Sequence, residues 1–185
     1  MHENAGTMCP GAHAFLVLLS TVLTAGGATK PAPTDSSVLV IAGRDEPGIR
    51  LVVTGRVLRA DGRTPVPQTR VGVYHTDASG IYGVHPTRPS FPPTRDARLS
   101  GWLKTDAQGR FEIRTIRPGR YPVGKFPAHM HFIVGSRGDY ELRFEDDSWS
   151  YLGASRGDEG RGVQVRPVHV DKDGVQRVTI EWRLP

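Results

Sequence analysis

Two histidines stand two residues apart in the run Tyr121-Pro-Val-Gly-Lys-Phe-Pro-Ala-His129-Met-His131-Phe. Phe132, Ile133 and Val134 continue this run as an apolar stretch that predicts a buried strand. Strand side chains alternate faces, so both imidazoles would point the same way at its start. Tyr121 leads in on a Pro/Gly-rich loop, and a second tyrosine, Tyr82, follows the turn Asp77-Ala-Ser-Gly80. Two phenols and two imidazoles make a hard-to-borderline ligand set. Such a set suits ferric iron better than zinc, whose usual ligands are thiolate, imidazole and carboxylate. A free phenol keeps its proton up to a pKa of about 10, but a bound cation stabilises the phenolate at neutral pH. Two phenolates and a hydroxide would balance a trivalent ion, and neutral imidazoles would complete its shell without adding charge.

The elements that must carry these groups read as β structure. Leu51–Leu58, Arg70–His75, Arg110–Thr115, His129–Val134, Tyr140–Phe144, Gly162–Val170 and Val175–Leu184 are short and rich in Val, Ile and aromatics. Asp61-Gly62 and Asp173-Gly174 are tight-turn dipeptides, and Asp106-Ala-Gln-Gly109 is a longer turn whose glycine can take a positive φ. In the last strand Val178, Ile180, Trp182 and Leu184 alternate with polar residues, the pattern of one buried face. Seven short strands with frequent turns predict an all-β antiparallel sandwich. Two stretches are long enough to be functional loops, the Pro-rich Gly83–Gly101 and the acidic, glycine-bearing Asp146–Gly160.

At 185 residues the chain is long enough for one substantial core. Its net charge of +5 is scattered rather than blocked, and no nucleic-acid-binding signature occurs, so a nucleic-acid partner is not expected. Ala14 to Leu23 (AFLVLLSTVL) is too short to span a bilayer. Small residues Ala25-Gly-Gly-Ala28 and a polar, Pro-bearing Thr29–Ser37 follow it. That is the order of a secretory signal, although no Lys or Arg occurs in the first thirteen residues. Cys9, the sole cysteine, precedes the apolar run, so a mature chain would lack disulfides. The expected organisation is a signal peptide over 1–28, a linker over 29–48 and the sandwich domain over 49–185. The protein would be secreted or periplasmic, with no stable membrane insertion once the signal is removed.

The run Thr105-Asp106-Ala-Gln-Gly109-Arg-Phe-Glu-Ile-Arg-Thr115-Ile-Arg-Pro118-Gly-Arg-Tyr121-Pro122, followed by Pro127-Ala-His129-Met-His131-Phe132, resembles the intradiol ring-cleavage dioxygenases. Val73-Tyr-His-Thr-Asp77-Ala-Ser-Gly80-Ile-Tyr82 and Gly55-Arg-Val-Leu-Arg-Ala-Asp-Gly62 are similar to further segments of that family. The resemblance implies the intradiol sandwich core, without the helical N-terminal domain of many catechol-cleaving relatives. It implies Fe(3+) held by Tyr82, Tyr121, His129 and His131, and a catechol-type substrate cleaved with O2 to a muconate-type product. Tyr121 would be the ligand that the substrate displaces. The sequence departs from the family at Phe126, where relatives carry an arginine, and at Glu141-Leu-Arg143-Phe144, where they carry a Thr-Gln pair. Arg120 and Lys125 are expected to act near the reacting ring in place of that arginine, with Arg143 a further cation in range. His75, His85 and His169 match no motif position and read as surface or satisfied core groups. Two other readings stand beside this one. A secreted sandwich can be a metal-free binding module, and an intradiol fold can keep its iron while its activity is lost or redirected.

Export has a direct check. N-terminal sequencing of protein from its native host should find a mature terminus near Thr29, and an intact Met1 in the cytosol would contradict it.

Overall fold

The computed structural model describes residues 35–83, 97–152 and 162–185. The segment read as a signal, Cys9, His85, most of the Pro-rich loop and the second half of the acidic loop lie outside the described residues. Among the described residues ten strands form two five-stranded sheets. One sheet runs β1 (Val38–Val40), β5 (Arg110–Ile116), β2 (Arg50–Arg59), β10 (Gln176–Leu184) and β9 (His169–Val170). The other runs β4 (Leu99–Lys104), β3 (Arg70–His75), β6 (His129–Val134), β7 (Arg137–Phe144) and β8 (Val163–Arg166). The described residues include no helix.

The sheets bury their facing sides against each other. Leu51, Val53, Val57, Phe111, Ile113, Val178, Ile180 and Trp182 from the first meet Val71, Val73, Leu103, Met130, Phe132, Leu142 and Phe144 from the second. The period-2 pattern read from the last strand is observed, with Val178, Ile180 and Trp182 each at most 2% exposed. The expected turns also form. Asp61 Oδ1 accepts the backbone N–H of Arg63 and Thr64, and Asp106 Oδ1 accepts those of Gln108 and Arg110. Gly62, Gly109 and Gly174 take φ of 65°, 70° and 78°, where a Cβ would be strained.

Four details differ from the sequence reading. The sandwich is not purely antiparallel, because β1·β5, β2·β10 and β7·β8 pair in parallel. Val38–Val40, read as linker, forms a sheet edge in which only Leu39 turns inward. Leu99–Lys104, read partly as loop, is β4, with Leu99 and Leu103 buried. The single strand expected over Gly162–Val170 is two, split at Pro167. Proline supplies no N–H to a ladder, and here the chain leaves one sheet for the other.

His75 is a satisfied core group, as expected for a histidine outside the motifs. It is fully buried, with Nδ1 2.7 Å from the Thr76 carbonyl and Nε2 2.7 Å from Thr115 Oγ1. A carbonyl only accepts, so Nδ1 carries the proton and Nε2 accepts from the threonine. Burial pushes its pKa down to about 4, the Thr76 carbonyl pulling weakly the other way. The unfolded chain takes up this proton near pH 6.5, the folded chain only near 4, so protonation between those values favours unfolding. Stability should be complete above pH 6.5 and fall by roughly 3 kcal/mol as pH drops to 4. Denaturant titrations across that range should show the slope, and a His75→Asn variant should lose it.

Candidate active site

The alternation of β6 decides which side of the sheet carries the chemistry. Met130 and Phe132 are fully buried in the sandwich core, so His129 and His131 project from the outer face. Across the ladder His131 lies between Tyr74 of β3 and Glu141 of β7, and His129 lies beside Arg143. The Tyr74 ring stacks on His131 with centroids 4.6 Å apart and planes 13° off parallel. His129 is held from behind. Its Nδ1 is 2.7 Å from the Pro127 carbonyl, so Nδ1 bears the proton and Nε2 offers its lone pair outward.

Two loops bring the phenols to that lone pair. Asp77 Oδ1 accepts from Ser79 N, Ser79 Oγ and Ile81 N, which winds Thr76–Tyr82 into a tight turn. The Asp77 carbonyl accepts the N–H of Gly80 at 3.1 Å and that of Gly119, on the other loop, at 2.8 Å. Thr76 Oγ1 donates to the Gly119 carbonyl at 2.9 Å. The backbones touch here. A Cβ on Gly80 would lie 1.8 Å from the Arg120 carbonyl oxygen, and one on Gly119 would lie 2.4 Å from that of Ala78. The zipped loops set Tyr82 Oη 2.7 Å from Tyr121 Oη. Tyr121 Oη is 3.1 Å from His129 Nε2, which is 3.0 Å from His131 Nε2.

All four donor atoms expected as ligands therefore converge on one place. Ligands about 2.0–2.1 Å from a shared ion stand on the order of 3 Å apart, so the spacing fits a single cation with small adjustments. Among the described residues no group of three or more His, Cys, Asp or Glu is placed to hold a metal, so a metal here needs the phenols. Burial raises the pKa of Tyr82, and the hydrogen bond with Tyr121 raises it further. Tyr121 is raised chiefly by burial, against the hydrogen bond with Tyr82, which lowers it, and with the Glu141 carboxylate adding a little. Both phenols are held toward the protonated form, and a bound cation would be what stabilises their phenolates.

The cations named as reacting-ring groups are placed differently from the ligands. Arg120 turns to Asp147, its Nη2 and Nε 2.7 and 2.9 Å from the carboxylate, and lies over the Trp149 ring. Arg143 pairs with Glu141 and donates to the carbonyls of Ser150 and Leu152. Lys125 is exposed on the loop between Tyr121 and His129. Phe126, where the family has arginine, is 53% exposed with its ring 5.4 Å from that of Tyr121. Sequence reasoning assigned no role to Asp147 or Tyr74. Asp147 sat in a stretch read as an acidic loop, and its burial depends on contacts distant in sequence. The position of Tyr74, opposite Val71 and Val73 in the strand alternation, was the available sign that it faces His131.

Comparison with known proteins places the chain in a family. The profile of the Dioxygenase family matches residues 27–147. The chain is 42% identical over 99 residues to the protocatechuate 3,4-dioxygenase beta chain of Burkholderia cepacia, covering 50% of this chain and 40% of that one. It is 33% identical over 110 residues to the hydroxyquinol 1,2-dioxygenase of a Rhizobium strain, covering 51% and 36%. The chain thus spans about two fifths of the length of these relatives. Among solved structures, 3-chlorocatechol 1,2-dioxygenase from Rhodococcus opacus aligns with a TM-score of 0.64 at 23% identity, over 82% of this chain and 66% of that one. The dioxygenase domain of a carbohydrate-binding fusion protein from Streptomyces aligns at 0.62 and 20%, over 86% and 94%. Both structures share the fold. The chain belongs to the intradiol dioxygenase family.

The close approach of the two loops can be isolated from backbone strain. Gly80 has φ +87° and a blocked Cβ direction, whereas Gly174 has φ +78° and nothing within 4 Å. Gly174→Ala should cost only the left-handed penalty of about 1–2 kcal/mol. Gly80→Ala should cost clearly more, because Arg120 must also move. Denaturant unfolding of the two variants measures the difference, and equal losses would contradict the zipped-loop account.

Proposed function

We propose that this protein is an iron-dependent enzyme that cleaves a catechol-type ring between its two hydroxylated carbons. Tyr82, Tyr121, His129 and His131 would hold one Fe(III) per chain. The observation that carries this is the convergence of two phenol oxygens and two imidazole nitrogens, each 2.7–3.1 Å from the next. When bound, the ferric ion supplies the Lewis acidity and the electronic coupling that let a catecholate ring react with O2. The overall reaction balances without a reductant: the ring carbon–carbon bond breaks and both oxygen atoms enter the resulting muconate-type diacid.

The chain's own residues divide the remaining work. His129 is oriented by the Pro127 carbonyl and His131 by its stack on Tyr74, so both imidazoles are set before anything binds. Tyr82 lies deeper, packed with the Tyr74, Ala97 and Ile133 cluster, and suits a permanent ligand. Tyr121 sits on a loop whose tip is solvent-exposed, with Val123 77% exposed, and suits a ligand that lets go. Its phenolate oxygen is the acceptor for a catechol hydroxyl proton as the substrate enters. Phe126 and Ile81, both about half exposed, give the mouth an apolar rim. That rim fits bulky or polymer-derived catechols better than small polar ones.

A slow rate follows from the same geometry. Phe126 supplies no charge, and Arg120 and Arg143 are each paired with a carboxylate. Loss of one preorganised electrostatic contact typically costs ~10²–10³ in rate. Protein produced with iron should be burgundy, with one iron per chain. Oxygen uptake with catechol, protocatechuate, hydroxyquinol and caffeate-type substrates, with products identified by mass, should show turnover that His129→Ala abolishes together with the iron. Tyr121→Phe should keep iron but change the colour and the substrate-binding kinetics. A colourless product that takes up no iron on reconstitution would favour the metal-free module, and an iron-loaded protein that consumes no oxygen would favour a redirected site.

A further inference from the structure

Asp147 lies where three segments of the site meet. Its side chain is 4% exposed. The carboxylate receives Arg120 Nε–H at 2.9 and 3.1 Å, Arg120 Nη2–H at 2.7 Å, and the backbone N–H groups of Ala128 and Trp149, each at 2.9 Å. A desolvated carboxylate is costly unless donors surround it, and here they come from three separate places in the chain. Arg120 immediately precedes Tyr121, and Ala128 immediately precedes His129. One carboxylate thus clamps the residue before the outer phenol to the residue before the first imidazole.

The clamp matters because the loop that carries that phenol has little apolar anchoring of its own. Pro122 to Phe126 are exposed, and none of them contributes to the buried core clusters. The tip of the loop cannot fix Tyr121 by apolar packing. Its base is fixed on one side by the Gly119 N–H to Asp77 carbonyl bond and the Arg120–Asp147 pair, and on the other by the Ala128 N–H to Asp147 bond. Tyr82 contacts neither Asp147 nor Arg120 through its side chain, and besides its bond to Tyr121 it packs on the Tyr74, Ala97 and Ile133 cluster, with the Tyr74 and Tyr82 centroids 6.1 Å apart.

We propose that Asp147, acting through Arg120, is the positioning residue that aims the Tyr121 phenol at His129 Nε2 and leaves Tyr82 untouched. The inference builds on the ligand set proposed above. In an iron-loaded protein the clamp would return Tyr121 to the same place after each displacement, because the backbone on both sides of the exposed tip is pinned.

Two variants of the full chain test this. Asp147→Asn keeps the size and removes the charge, and Arg120→Ala removes the partly exposed arm and leaves the core intact. In metal-free protein, aromatic nuclear Overhauser contacts of Tyr121 with Tyr82 and His129 should fall by more than half in both variants. The Tyr74–His131 and Tyr74–Tyr82 contacts should persist. In iron-loaded protein, resonance Raman should show one of two tyrosinate signals altered, with iron lost to a chelator at least tenfold faster. Arg120→Lys should partly restore both readouts. Wild-type ring contacts in both variants would overturn the proposal. So would loss of the Tyr74 contacts along with those of Tyr121, which would mark Asp147 as a support of the whole fold. If the wild type takes up no iron, the ligand set fails, and the metal-free ring contacts still decide whether Asp147 aims Tyr121.

Discussion

The Asp77 carbonyl is the contact on which the site depends. It accepts an N–H from its own turn, through Gly80, and one from the neighbouring loop, through Gly119. With both bonds made, two loops that are distant in sequence run backbone against backbone, closer than any residue but glycine permits at positions 80 and 119. Tyr82 and Tyr121 leave this junction in adjacent positions, and a 2.7 Å hydrogen bond between their hydroxyls results. Among the described residues no cation is paired with either phenol, and burial favours the protonated form of both. The junction therefore gathers two neutral phenols that only a bound cation would ionise. Histidines from a rigid strand meet the phenols there, and the strand does not have to adapt, because its other face is locked in the core.

Much of this arrangement was legible in the residues because it is governed by local rules. The period of two in His129-Met-His131 places both rings on one face whatever surrounds the strand, and Met130 goes to the core for the same reason. The Asp–Gly turns are equally local, and their glycines take the positive φ expected. Pairing direction is a different kind of information. That β10 inserts beside β2 in parallel depends on where the chain re-enters the sheet, and no single strand encodes it. Val38–Val40 is too short to signal a strand against its Pro- and Ser-rich surroundings, and it forms because β5 presents an open edge. Pro167 was visible, but only the sandwich gives a reason for breaking there: the chain must change sheets.

Asp147 is the clearest case of a residue that local reading misplaces. In sequence it is the second of two aspartates after a strand, the composition of a solvated loop. Its neighbour Asp146 fits that description, being about half exposed and bound to the Arg117 guanidinium. Asp147 turns the other way and is buried, because the donors that compensate it arrive from the loop before Tyr121 and from the start of β6. Burial of a charge is set by what other segments bring to it. Composition within one segment carries no trace of that.

The same pairing explains the electrostatic character of the mouth. Arg120 faces Asp147 and Arg143 faces Glu141, so both arginines come with a carboxylate at hydrogen-bonding distance. Opposite charges this close produce little field a few ångströms away, and solvent reduces it further. Attraction for an anionic ligand would then have to come from a cation held by the four donor atoms rather than from the rim. The rim contributes apolar surface at Phe126, Val123 and Ile81. Lys125 is too exposed to concentrate charge at the ring, since a solvated ammonium interacts at close to the dielectric of water. Discrimination among ligands would thus rest on the shape and apolar area of whatever extends past the chelated ring. The charge on that extension would matter much less.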